Sequence, residues 1–215
     1  MIKGIFIDLD GTLIKSIYHH YLGWKKVLHD ENIYISKKDF YFTEGKKLEL
    51  LLKDFYIQNN KTFNPIKIKK LIEKKNKHFI KNFKLSYYPG AIKTIKYFFD
   101  NNYYLSIVTA GSKSRVLKTL PNEFTHMFNR IITGDDCKEG KPSPEPYLKA
   151  LQHSKLDKKN CIILENAPLG LLSAKKAKIK CVGITNTNDS KLLHQADYIV
   201  NSFKEFKNLI EELNA

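Results

Sequence analysis

Two aspartates one residue apart, Asp8 and Asp10 in IFIDLDGT, form the sharpest chemical feature of the chain. They end a short apolar run and precede Gly11, a pattern that reads as a buried strand delivering Asp8 at its carboxyl end. Two carboxylates so placed cannot both be hidden from water without a metal or a shared proton. Three other segments deliver polar groups to the same predicted sheet edge: Thr109 ends IVT, Lys141 lies in GKPSPEPY, and Glu165 with Asn166 ends CIILEN. A hard cation with oxygen ligands, magnesium above all, would join Asp8 to the Glu165–Asn166 pair.

The elements that must position these groups follow from periodicity. Apolar residues at helical spacing, such as Leu48, Leu51, Leu52 and Phe55, predict helices over 18–30, 38–42, 46–56 and 67–83. Breaks at Asn32, Asn59–Asn60 and Asn64–Pro65 separate them. From position 91 the pattern alternates: helices over 91–101, 113–120, 145–153, 169–176 and 203–213, and strands over 104–108, 130–133, 161–164, 180–184 and 198–200. That rhythm implies a parallel sheet covered on both faces, with the ligand at the carboxyl ends of the strands. The expected fold is α/β, a Rossmann-like doubly wound core over 1–14 and 87–215 with a small inserted α-helical cap domain over 15–86.

DLDGT, the apolar strand ending in Thr109, GKPSPEPY and the acid of ENAPLG occur in the order found in the haloacid dehalogenase-like hydrolases, which the chain resembles over essentially its whole length. The likeness is to the branch of β-phosphoglucomutase-like phosphatases with a helical cap after the first motif. It implies a phosphoaspartyl mechanism: Asp8 attacks phosphorus, Asp10 serves as general acid and then base, and Thr109, the Ala110 backbone N–H and Lys141 bind the phosphoryl group. The implied magnesium ligands are Asp8, the Asp10 backbone carbonyl, Glu165 and Asn166. The second aspartate points to phosphoester chemistry. On the cap, the resemblance suggests substrate contacts from His20, the loop Gly45, Lys46 and Lys47, and the pair Lys75 and Asn76.

Three positions depart from the pattern. Asn166 stands where Asp is more frequent, which lowers the negative charge of the metal site. Lys15 replaces an acid at the predicted hinge, and Lys178 a helix-ending glycine.

The formal net charge of +15 by itself suggests an anionic partner. The basic residues are nearly all lysine, however, with Arg115 and Arg130 the only arginines, and neither base reading nor bidentate phosphate capture is well served by lysine. The excess is concentrated over 15–86, where 17 lysines face 7 acids, a net +10. No apolar run approaches the roughly 18 residues of a membrane span, and acids lie within ten residues of the start, where a secretory signal would be uninterrupted. Three cysteines, Cys137, Cys161 and Cys181, show no zinc spacing. The expectation is therefore a cytoplasmic, monomeric, magnesium-dependent phosphatase of a small phosphorylated metabolite such as a sugar phosphate, with no membrane or nucleic-acid partner. A β-phosphoglucomutase-type mutase is the alternative, weakened by a cap without arginine, and a non-enzymatic binder of anions or nucleic acid is a third reading.

Overall fold

The computed structural model describes all 215 residues. Six strands form one parallel sheet in the order β3-β2-β1-β4-β5-β6. These are β1 (Gly4–Ile7), β2 (Tyr104–Val108), β3 (Arg130–Ile132), β4 (Cys161–Glu165), β5 (Lys180–Ile184) and β6 (Tyr198–Val200). The chain winds outward from β1 through β2 to β3, then returns to lay β4, β5 and β6 on the other side. The switch in direction falls at β1, between β2 and β4, where such sheets bind ligands beyond the carboxyl ends of the strands.

Side-chain alternation along the strands builds two cores. Ile5 and Ile7 point to one face, where Ile95 and Phe98 of α5 (Ala91–Asp100) join Phe206 and Ile210 of α10 (Phe203–Glu212). Phe6 points to the other, against Tyr147 of α8 (Glu145–Ser154) and Leu171 of α9 (Pro168–Ala177). Two shorter helices, α6 (Lys113–Thr119) and α7 (Asn122–Thr125), lie between β2 and β3. The sequence pattern anticipates α6 and misses α7, a single turn too short to show a period.

Between β1 and α5 the chain makes four helices: α1 (Ile17–His29), α2 (Lys37–Tyr41), α3 (Leu48–Gln58) and α4 (Pro65–Asn82). They bury a separate core in which Trp24 and Leu28 of α1 meet Leu52 and Phe55 of α3 and Leu71 of α4. The asparagine breaks have physical causes. Asn32 and Asn60 take left-handed backbone angles (φ 52° and 53°), and the Asn64 side chain caps α4 by accepting from the Lys67 N–H at 2.7 Å, with Pro65 preset at the first turn. The two connectors between cap and sheet pair with each other, Lys15 N–H to the Ser86 carbonyl (2.8 Å) and Tyr88 N–H to the Leu13 carbonyl (3.0 Å). No helix is long and apolar enough to cross a membrane.

Candidate active site

The residues singled out from the strand ends meet at one place. Asp8 follows β1 and is held by Lys141, whose Nζ donates to Asp8 Oδ1 at 2.7 Å, to Glu165 Oε1 at 2.6 Å and to the Val108 carbonyl at 3.1 Å. Tyr147 Oη adds a bond to the same Glu165 oxygen at 2.5 Å. One buried cation thus serves two buried carboxylates. Burial together with the Glu165 charge outweighs Lys141 and pushes the Asp8 carboxyl up to about 7, while the two acids hold Lys141 above its ordinary value despite its burial.

Asp10 lies in the opposite environment. Its Oδ1 accepts from Ser16 Oγ (2.7 Å), His20 Nε2 (2.9 Å) and Arg115 Nη1 (3.0 Å), and its Oδ2 from Thr109 Oγ1 (3.1 Å) and Arg115 Nη2 (2.5 Å). Burial alone would raise this carboxyl, yet Arg115 and His20 hold it well below the usual range. Behind His20 stands Lys75, its Nζ 2.7 Å from His20 Nδ1. Burial and the Lys75 charge push His20 down to about 3, and burial with the Arg115 charge pushes Lys75 down to about 7. A neutral His20 that accepts from Lys75 at Nδ1 and donates to Asp10 from Nε2 satisfies the whole chain.

Arg115 is the residue that motif reading passed over. It sits on α6, is 1% exposed, and its guanidinium grips Asp10 through two nitrogens. A side chain at Gly111 would run into the Arg115 guanidinium, so this glycine keeps the path open. One signal was present: Arg115 is one of only two arginines among 37 basic residues, six positions beyond Thr109. Glu44 was also missed. It is buried on the cap opposite Asn166, and burial pushes its carboxyl up to about 8.

The expected cap residues divide. His20, Gly45, Lys46, Lys75 and Asn76 line a cavity of about 60 Å³ with Asp8, Asp10, Thr109, Ala110, Glu165 and Asn166. Lys46 is already paired with Asp54, and its backbone bridges that of Lys141. Asn76 Nδ2 donates across the seam to Ser112 Oγ at 3.2 Å. Lys47 stays outside that cavity, with Nζ donating to the carbonyls of Cys137 (2.8 Å) and Lys138 (2.9 Å), so it fastens cap to core. Lys15 is exposed at the hinge over the Tyr88 ring, 5.6 Å from its centroid. The rest of the cap wall is mainly apolar, with Ile17, Trp24, Phe40, Leu48 and Leu51 beside Thr43 and Glu44. At ~10–15 Å³ per water, the space holds only a few waters.

Asn166 completes the core edge. Its Oδ1 lies 2.9 Å from Thr12 Oγ1, which also reaches Asp8 Oδ2 at 3.0 Å. Gly11 (φ +87°) makes room, since a side chain there would collide with the Asn166 amide. No three His, Cys, Asp or Glu side chains are grouped closely enough to hold a metal ion by themselves. Asp8, Glu165 and Asn166 instead line one cavity, the Asn166 oxygen joined to Asp8 through the Thr12 hydroxyl. A donor set of oxygens alone, with anionic charge that one lysine does not balance, fits a hard divalent cation.

A model of the haloacid dehalogenase-like hydrolases matches residues 5–184. The chain belongs to this family. Hexitol phosphatase A of Escherichia coli (strain K12) is 24% identical over 205 residues, covering 94% of this chain and 92% of that protein. Validoxylamine A 7'-phosphate phosphatase of Streptomyces hygroscopicus subsp. limoneus is 35% identical over 104 residues, 48% of this chain and 49% of that protein. For this and several other curated relatives the match spans about half of their length. Among solved structures, β-phosphoglucomutase from Clostridium difficile superposes with a TM-score of 0.87 at 26% identity, covering 100% of this chain and 98% of that one.

Proposed function

We propose that this chain is a magnesium-dependent phosphatase of small phosphomonoesters that works through a phosphoaspartate at Asp8. The observation that carries the reading is the meeting of Asp8 and Glu165, at the carboxyl ends of the adjacent strands β1 and β4, on the single cation of Lys141, with Asp10 two residues on held separately by Thr109 and Arg115. Phosphatase relatives, one of them matched nearly end to end, support it.

The chemistry is two in-line displacements. An Asp8 oxygen bonds to phosphorus as the ester oxygen leaves, and Asp10 gives that oxygen its proton. Water then bonds to phosphorus, Asp10 takes the water proton, and the phosphorus bond to Asp8 breaks to release inorganic phosphate. Magnesium, held by Asp8, the Asp10 carbonyl, Glu165 and Asn166, would supply the charge screening that lets a carboxylate approach a phosphate dianion. Lys141 steadies a phosphoryl oxygen, as do Thr109 and the Ala110 N–H.

In the closed arrangement Asp10 accepts five hydrogen bonds and donates none, so it is an ionised carboxylate and not yet an acid. A phosphoryl group entering beside Thr109 competes for the Thr109 hydroxyl and the Arg115 guanidinium. Loss of those partners lets burial raise the Asp10 carboxyl, so that it takes up a proton from solvent and can then pass it to the leaving oxygen.

The mutase reading draws on the likeness to β-phosphoglucomutase. Against it stands a cap with no arginine, whose two lysines at the cavity are already engaged, Lys46 with Asp54 and Lys75 with His20. The test is phosphate release from a panel of sugar phosphates, polyol phosphates and nucleotides, with magnesium or with EDTA. Release that needs magnesium supports the phosphatase. Silence across the panel, with isomerisation of a hexose 1-phosphate primed by a bisphosphate, would replace it with the mutase.

A further inference from the structure

Asn166 places an amide where a carboxylate would give a cation more charge, and the cap brings a carboxylate to that same amide. Glu44 lies in the turn between α2 and α3, is 5% exposed, and lines the cavity with Asp8 and Glu165. Its Oε2 accepts from Asn166 Nδ2 at 2.7 Å and from Thr187 Oγ1 at 3.3 Å. Its Oε1 is buried and has no hydrogen-bond partner. The second proton of the amide goes to Thr187 Oγ1 at 2.6 Å, so both Asn166 protons are committed and Oδ1 is left to the Thr12 hydroxyl, which also reaches Asp8.

Leaving a buried carboxylate oxygen without a donor is costly unless a cation answers it. Two features therefore complement each other: an amide that lacks charge, and a carboxylate that lacks a counter-charge. Were residue 166 an aspartate, two carboxylates would face each other at about hydrogen-bond distance and the cap would be repelled.

Resting on the reading that Asp8, Glu165 and Asn166 hold a divalent cation, we propose that Glu44 is a positioning residue of that site. It fixes the Asn166 amide with its oxygen toward Asp8, and it returns from the cap the negative charge that the amide omits. The full charge of the site is assembled only while the cap lies against the core. Cation affinity and cap closure are then linked, each favouring the other to the same degree.

Magnesium binding by calorimetry, without phosphate, tests this on the native protein, Glu44→Gln, Asn166→Asp and the double variant, with thermal melts as a control for folding. Glu44→Gln should weaken magnesium binding by about tenfold in the native background and by less than about twofold in the Asn166→Asp background, where the core has its own carboxylate. Glu44→Asp, which keeps the charge and shortens the reach, should fall between native and Glu44→Gln. Trp24, the single tryptophan and buried at the cavity, reports the cap. Acrylamide should quench it more in Asn166→Asp measured in EDTA. The double variant should return it toward native, because the amide introduced at position 44 can donate to the carboxylate introduced at position 166. Equal losses from Glu44→Gln in both backgrounds, or native affinity in Glu44→Gln, would overturn the proposal alone. Failure of the native protein to bind magnesium would overturn it together with the reading of the site on which it rests.

Discussion

Asp8 and Asp10 are separated by one residue, yet the two halves of the site treat them in opposite ways. On the core side one lysine is shared by Asp8 and Glu165, and the Asp8 carboxyl rises to about 7. On the cap-facing side a single aspartate collects an arginine, a histidine and two hydroxyls, and its carboxyl is held well down. The first environment lacks positive charge and calls for a cation before its acid can ionise fully. The second has positive charge to spare and must lose a partner before its acid can hold a proton. Under the proposed mechanism, a pair of like residues would take two roles through what surrounds each of them.

The largest effect expected on this division is at Asp8. Asp8→Asn should lower phosphate release by at least about 10⁴-fold, the scale of losing a nucleophile, with the melting temperature in EDTA equal to or above native because a buried charge is removed. Lys141→Met leaves two buried carboxylates without their cation and should cost roughly 3–5 kcal/mol in chemical denaturation. Magnesium should return part of that loss.

Arg115→Met removes the bidentate hold on Asp10. A fall in kcat of about 10–10²-fold is expected, the range for losing a group that orients an acid–base residue. The sign of the accompanying pH change follows from the forces on Asp10: with the guanidinium gone, burial prevails, the carboxyl titrates higher, and, because Asp10 must carry the proton for the leaving oxygen, the basic limb of the kcat/KM profile moves up in pH. An unmoved basic limb would dissociate Arg115 from the chemistry.

His20 supplies a stability test in the same half. Its folded pKa of about 3 lies below its unfolded value of about 6.5, so the unfolded chain binds the extra proton between those limits. Native stability relative to His20→Gln should therefore fall as pH drops from 6.5 toward 3, by up to about 1.4 kcal/mol per pH unit. The smallest effect lies far from the site. Lys178 ends α9 with φ +58°, and Lys178→Gly should add about 1 kcal/mol by removing the cost of a left-handed side chain.

The core half was legible because strand ends are fixed in sequence: an apolar run must stop at Asp8, at Thr109 and at Glu165, and a parallel sheet brings those stops to one edge. Of the two connections that the motifs did not reveal, Arg115 reaches Asp10 across 105 positions and Glu44 reaches Asn166 across 122. Both depend on the angle at which a helix or a turn meets the site, which periodicity does not encode. The lysines of the 45–47 loop looked alike in sequence, but the backbone directs Lys46 to the cavity and Lys47 to the carbonyls of the core. Asn166 drew notice as a deficit of charge, and only the folded chain sets Glu44 against it.

Whether Asp8 takes the phosphoryl group while Asp10 moves protons is answered by rapid-quench mass spectrometry of Asp10→Asn with a turned-over phosphomonoester and magnesium. A phosphoryl group is expected on the peptide that carries Asp8, persisting because no base activates water. Phosphate released with no modification of Asp8, or a phosphoryl group on any other residue, would contradict this division of roles.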